Sequence, residues 1–60
     1  MILVKDLVKF LKKDIIITID LGSDDYNVTH LVIYNEKEHG NLTIDDIFFT
    51  DEKSIGIKVL

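Results

Sequence analysis

Residues 14–21 read Asp-Ile-Ile-Ile-Thr-Ile-Asp-Leu. Four of these eight positions are isoleucine, and the odd ones (Ile15, Ile17, Ile19, Leu21) are all apolar, while Asp14, Thr18 and Asp20 interrupt the even set. β-branched side chains fit a pleated surface, and a period of two gives a strand with one face buried. A strand over residues 15–21 therefore anchors the reading, and the rest of the chain is placed around it.

Upstream, Leu3, Val4, Leu7, Val8 and Leu11 recur at helical spacing, with Lys5, Asp6, Lys9 and Lys12 on the other side. That pattern predicts an amphipathic helix over residues 3–13, whose last turn holds Lys12 and Lys13 where the helix dipole favours cations. Downstream, Gly22-Ser23-Asp24-Asp25 is read as a turn, residues 27–35 as a second strand, and 36–41 as a hairpin loop whose Gly40-Asn41 pair suits positive φ. A third strand starts at Leu42. Its alternation changes phase at Asp45-Asp46, which calls for a bulge or bend. After a turn over residues 51–54, Ile55-Gly56-Ile57-Lys58-Val59-Leu60 alternates as a closing strand. The fold class expected is α+β: a single domain over residues 1–60, with one N-terminal helix packed on a four-stranded antiparallel meander.

One helix covers one face of such a sheet. Ile15, Ile17, Leu31 and Ile33 are assigned to the helix side, which leaves Ile16, Val28, Val32 and Tyr34 on the other. That second apolar face is the expected surface for a homodimer or a partner.

A chain of 60 residues buries a thin core, and with no cysteine it has neither disulfides nor thiolate metal sites to reinforce it. This suits a reducing compartment, and the host cytosol is the expected location. No apolar run approaches a membrane span, and Lys5 and Asp6 interrupt the opening Met1-Ile2-Leu3-Val4, so neither a span nor a targeting peptide is expected.

The net charge of −4 is unevenly spread. Residues 1–13 carry four lysines against Asp6, while ten carboxylates from Asp14 onward meet only Lys37, Lys53 and Lys58. An acidic surface repels nucleic acid and attracts proteins that hold a phosphate backbone. In a meander Asp20, Asp24, Asp25, Asp51 and Glu52 should gather at one end, and Asp14 should join the 36–41 hairpin at the other, so both ends read as acidic.

Catalytic chemistry finds little support. Nucleophilic catalysis needs a hydroxyl or thiol beside an oriented base. His30 lies in mid-strand and His39 in the hairpin loop, neither with a convincing neighbour. The pairs Asp24-Asp25, Asp45-Asp46 and Asp51-Glu52 lack calcium-loop spacing, and adjacent residues on a strand point to opposite faces. No enzyme activity, metal or cofactor is expected.

The run Asp6-Leu7-Val8, then Lys12-Lys13-Asp14, a β-branched strand, Val28-Thr29-His30-Leu31-Val32-Ile33 and the Gly40-Asn41 pair resembles the small type II-A anti-CRISPR proteins of prophages, across residues 3–44. The resemblance implies a helix joined to a sheet with acidic loops. It also implies inhibition of the type II CRISPR effector nuclease by DNA mimicry, with acids standing in for phosphates at the site for the short duplex motif beside the target. Carried over by position, Asp14 corresponds to an acid of the inhibitory surface and Gly40 and Asn41 to the tip of the binding hairpin, with Glu38 and His39 near its acid. The family ends in two helices with a further acidic pair, and a tyrosine follows its hairpin. Here Leu42-Thr43 and a final strand pair stand instead.

The expected function is a phage-type acidic inhibitor of a basic, nucleic-acid-binding host protein. Its contact residues are Asp14, Glu36, Glu38, His39, Gly40, Asn41, Asp24, Asp25, Asp51 and Glu52. The competing expectation is a homo-oligomeric assembly or ligand-sequestering module built on the Ile16, Val28, Val32 and Tyr34 face.

Overall fold

The protein is described by a computed structural model covering residues 1–22 and 31–60. All but Gly22 of the turn expected at 22–25, the first half of the second strand, and with them Asp24, Asp25, Val28 and His30, lie outside the described residues. The elements in chain order are α1 (Val4–Val8), β1 (Ile16–Asp20), β2 (Leu31–Ile33), α2 (Glu36–His39), β3 (Ile44–Asp51) and β4 (Ser54–Val59).

The fold is α+β with one four-stranded sheet, but the sheet is mixed and its order is β2-β1-β4-β3. The expected meander is thereby corrected. β1 pairs antiparallel with β2 and parallel with β4, while β3 and β4 form an antiparallel hairpin. The cause lies at residues 35–40, where the expected hairpin is instead a helix. Asn35 is its N-cap: the Oδ1 atom accepts from the N–H groups of Lys37 at 2.9 Å and Glu38 at 3.3 Å, satisfying two donors the first turn leaves free. Because α2 follows β2 and precedes β3, which lie at opposite edges, the chain crosses the sheet here instead of turning back.

Gly40 does not take the positive φ expected of a hairpin tip. Its φ is −59°, and it is buried. Glycine is needed there for close approach, since a Cβ would stand 2.6 Å from the Glu36 carbonyl oxygen and 3.3 Å from the Lys5 Cβ.

The helix expected over residues 3–13 is shorter than its apolar pattern. After Val8 the chain tightens into i→i−3 bonds, Phe10 N–H to Leu7 O at 3.0 Å and Leu11 N–H to Val8 O at 3.1 Å. Its amphipathic face is nevertheless the expected one: Val4 is fully buried, and Leu7, Val8 and Leu11 pack against the core. No side chain caps its start. The neighbouring segment does so instead, as Val4 N–H donates to Leu42 O at 2.9 Å and Lys5 N–H to Gly40 O at 3.0 Å. A bridge from Leu3 to Thr43, with Ile44 N–H donating to Ile2 O at 2.9 Å, ties the N-terminal residues to the head of β3.

The core is Val4 of α1 with Ile19 of β1 and Ile55, Ile57 and Val59 of β4, so it lies between α1 and the two central strands. β4 is central because Ile55, Ile57 and Val59 are all buried, the strand pattern that needs neighbours on both sides. The register of β3 against β4 shifts between Ile44 and Asp46, where the change of phase called for a bulge. One extra residue there keeps Ile44, opposite Val59, and Ile47, opposite Ile57, on the same side of the sheet.

Candidate interaction site

The parallel pairing of β1 with β4 decides where the charges go. Ile16 N–H donates to Lys53 O at 2.7 Å, so the start of β1 meets the turn between β3 and β4. Asp14 consequently joins Asp51 and Glu52, not the 36–41 segment as expected, and Lys12, Lys13 and Lys53 share that end. Three acids and three bases cancel there. The Asp51 carboxylate is also engaged locally, accepting from Lys53 N–H at 2.7 Å.

On and beside the two helices, Asp6, Glu36 and Glu38 likewise balance Lys5, Lys9 and Lys37, with Lys9 Nζ 3.6 Å from Asp6 Oδ1. What remains among the described residues is a third group at the far end of β1. Asp20 and Asp46 are both in register with Lys58, and Asp45 Oδ2 lies 3.8 Å from Lys58 Nζ. Three acidic residues and one lysine thus share this end of the sheet, a local surplus of two negative charges. The other two units of the net −4 belong to Asp24 and Asp25, outside the described residues. An exposed pair such as Asp45–Lys58 is worth about 0–1 kcal/mol and leaves the surplus field in place.

Sequence reading did not join Asp20, Asp45 and Asp46. Their grouping follows from strand order, which the spacing of the acids themselves does not state. The Asp20 carboxylate accepts from Gly22 N–H at 2.8 Å, where Gly22 has φ +80°, and Asp46 accepts from Ile47 N–H at 2.8 Å. Both carboxylates are thereby held at the sheet end. Among the described residues no group of three or more His, Asp or Glu side chains could hold a metal.

Of the other expected contact residues, Glu36, Glu38 and Asn41 are exposed, whereas His39 is buried and contributes to structure. Its Nδ1 accepts from Asn35 N–H at 2.9 Å, closing α2 back onto its own N-cap, and its Nε2 is 3.8 Å from Glu38 Oε2. The loop reading of His39 missed this because the Asn35-x-x-Glu38 helix start was not recognised.

The expected oligomer face is also corrected. Val32 and Tyr34 pack against the core, and only Ile16 of the described set is exposed, joined by Leu31 and Ile33, which were assigned to the helix side. Ile19, fully buried, is in register with Val32, and Thr18 with Ile33, and opposed residues share a face. The phase of β2 relative to β1 depends on the loop length between them, and a slip of one residue exchanges the two faces.

Tyr34 carries a testable consequence. Partial burial and then the Glu36 carboxylate push its phenol above the ordinary 10.0. The folded state thus favours the neutral phenol. Its contribution to stability is complete below the unfolded value and is lost as pH rises from 10.0 through the folded value. In an alkaline absorbance titration, the difference between the parent chain and Tyr34→Phe should show a midpoint above 10.0. A midpoint at or below 10.0 would refute this.

Comparison with protein-family models, with curated proteins and with solved structures finds no match to this chain.

Proposed function

We propose that this chain is a binding domain that sets the acidic end formed by Asp20, Asp45 and Asp46 against a basic surface of a nucleic-acid-binding protein and so excludes nucleic acid from it. The supporting observation is the charge partition: two groups of ionic residues balance internally, and the described surplus lies at one end of the sheet, around Lys58. A localised negative field of this kind steers toward basic clefts and weakens at high salt. Catalysis forms no part of the reading. The specific form proposed is a phage-type inhibitor of a type II CRISPR effector nuclease, the target implied by the resemblance in residues 3–44.

The direct assay mixes the chain with a guide-loaded effector nuclease and follows comigration and target cleavage as salt is raised. Inhibition is expected, weakened about 10-fold or more by Asp20→Lys with Asp46→Lys, and much less by Asp51→Lys with Glu52→Lys at the balanced end. Undiminished cleavage at large excess removes this target. Equal loss from both double variants would remove the acidic end as the contact.

A further inference from the structure

We infer that the Asn35–His39 pair is an acid-sensitive latch, in which the neutral imidazole of His39 holds α2 closed and a proton on its Nδ1 atom opens it. Both main-chain polar groups of Asn35 are bonded to this one residue: Asn35 N–H donates to His39 Nδ1 at 2.9 Å, and Asn35 O accepts from His39 N–H at 2.8 Å. His39 O in turn accepts from Leu42 N–H at 3.1 Å, so the residue ties the start of α2 to the segment leading into β3.

A backbone N–H can only donate. Nδ1 is therefore the unprotonated ring nitrogen, which leaves the proton of the neutral ring on Nε2, 3.8 Å from Glu38 Oε2. Adding a proton at Nδ1 sets two N–H groups against each other and leaves both without an acceptor. His39 is only 5% exposed, so water has little access to replace the lost bond, and a buried unpaired donor is costly.

The surrounding charges do not make up this loss. Glu38 faces Nε2 and favours the cation, but its side chain is 74% exposed and screened by water. Glu36 and Lys37, the other charges of α2, are of opposite sign. Tyr34, with its ring centroid 6.3 Å from that of His39, stays neutral in acid. The element packed against α2 is α1, which brings Lys5, whose N–H donates to Gly40 O at 3.0 Å, and Asp6, which lies 3.6 Å from Lys9 Nζ. Because α2 carries the chain from β2 at one edge of the sheet to β3 at the other, the proton loosens this crossover, while the aliphatic core of Ile19, Ile55 and Ile57 contains nothing that titrates.

Hydrogen exchange followed by NMR on the chain alone is the test, each rate being divided by that of the same N–H in an unfolded peptide at the same pH. From about pH 7.5 to about pH 5.5, the range in which imidazole changes charge, protection of the Asn35 backbone N–H should fall at least about fivefold while that of Ile57 holds. The nitrogen-15 shifts of the His39 ring should show the Nε2–H tautomer at the upper pH, and the loss of protection should track the His39 ring signal, not that of His30. His39→Asn, whose amide oxygen stands as many bonds from the backbone as Nδ1 and takes no proton in this range, should keep Asn35 protection constant. Constant protection in the natural chain, an Nδ1–H tautomer, a loss shared equally by Ile57, a loss that follows His30, or the same loss in His39→Asn would each overturn the inference. If His39→Asn fails to fold, the exchange and ring signals of the natural chain decide alone. No basic protein is present, so the outcome is independent of the proposed inhibitory contact.

Discussion

Ile57→Ala is expected to destabilise the fold strongly and to lower its urea midpoint. Ile57 is fully buried, and its Cα partners are Ile19 on β1 and Ile47 on β3, so its side chain joins the parallel and antiparallel halves of the sheet. Truncating a buried isoleucine removes its transfer free energy and leaves a cavity, a loss of about 2–5 kcal/mol. A 60-residue chain holds about 3–9 kcal/mol in total at ordinary stability per residue. The loss is therefore comparable with the lower part of that range. Far-ultraviolet circular dichroism with urea titration, at a fixed protein concentration, measures it. A cooperative transition with a loss under about 1 kcal/mol would mean that the two halves of the sheet do not share this core.

The same residue shows why local structure was more legible than arrangement. Ile15, Ile17 and Ile19 alternate with polar or exposed neighbours, and Ile55, Ile57 and Val59 do likewise, so β1, β4 and their buried sides could be read from period alone. The phase change at Asp45-Asp46 marked the irregularity in β3, and the Leu3–Leu11 spacing marked the buried side of α1. None of these patterns states which strands are neighbours. That choice rests on Asn35, whose side chain starts α2 and sends the chain across the sheet, and the start was present in sequence as Asn35 followed by Glu38. Reading 36–41 as a hairpin placed β3 beside β2, and the misplaced charges followed. It joined Asp14 to Glu38, separated Asp20 from Lys58, and treated buried His39 as a loop residue. The acidic end was illegible for the same reason: Asp20 and Asp46 are 26 positions apart in the chain and meet only because β4, carrying Lys58, lies between them.

Gly56→Ala should be destabilising in the natural chain and neutral or stabilising once Phe48 is removed. The three nearest atoms to a Cβ built at Gly56 are all carbons of the Phe48 ring, which lies across the backbone of β4 from the neighbouring strand. Adding the methyl group must displace the outer end of the half-exposed Phe48 ring, a cost toward the low end of the about 1–3 kcal/mol of overpacking. In a Phe48→Ala background the obstruction is gone. Alanine then has the advantage over glycine in a strand, about 0.5–1 kcal/mol, because less backbone freedom is lost on folding. The sign of one substitution therefore depends on a residue eight positions away in sequence, and a double-mutant cycle in urea should return a coupling of about 1 kcal/mol or more. Equal costs in the two backgrounds would show that the ring does not rest on Gly56.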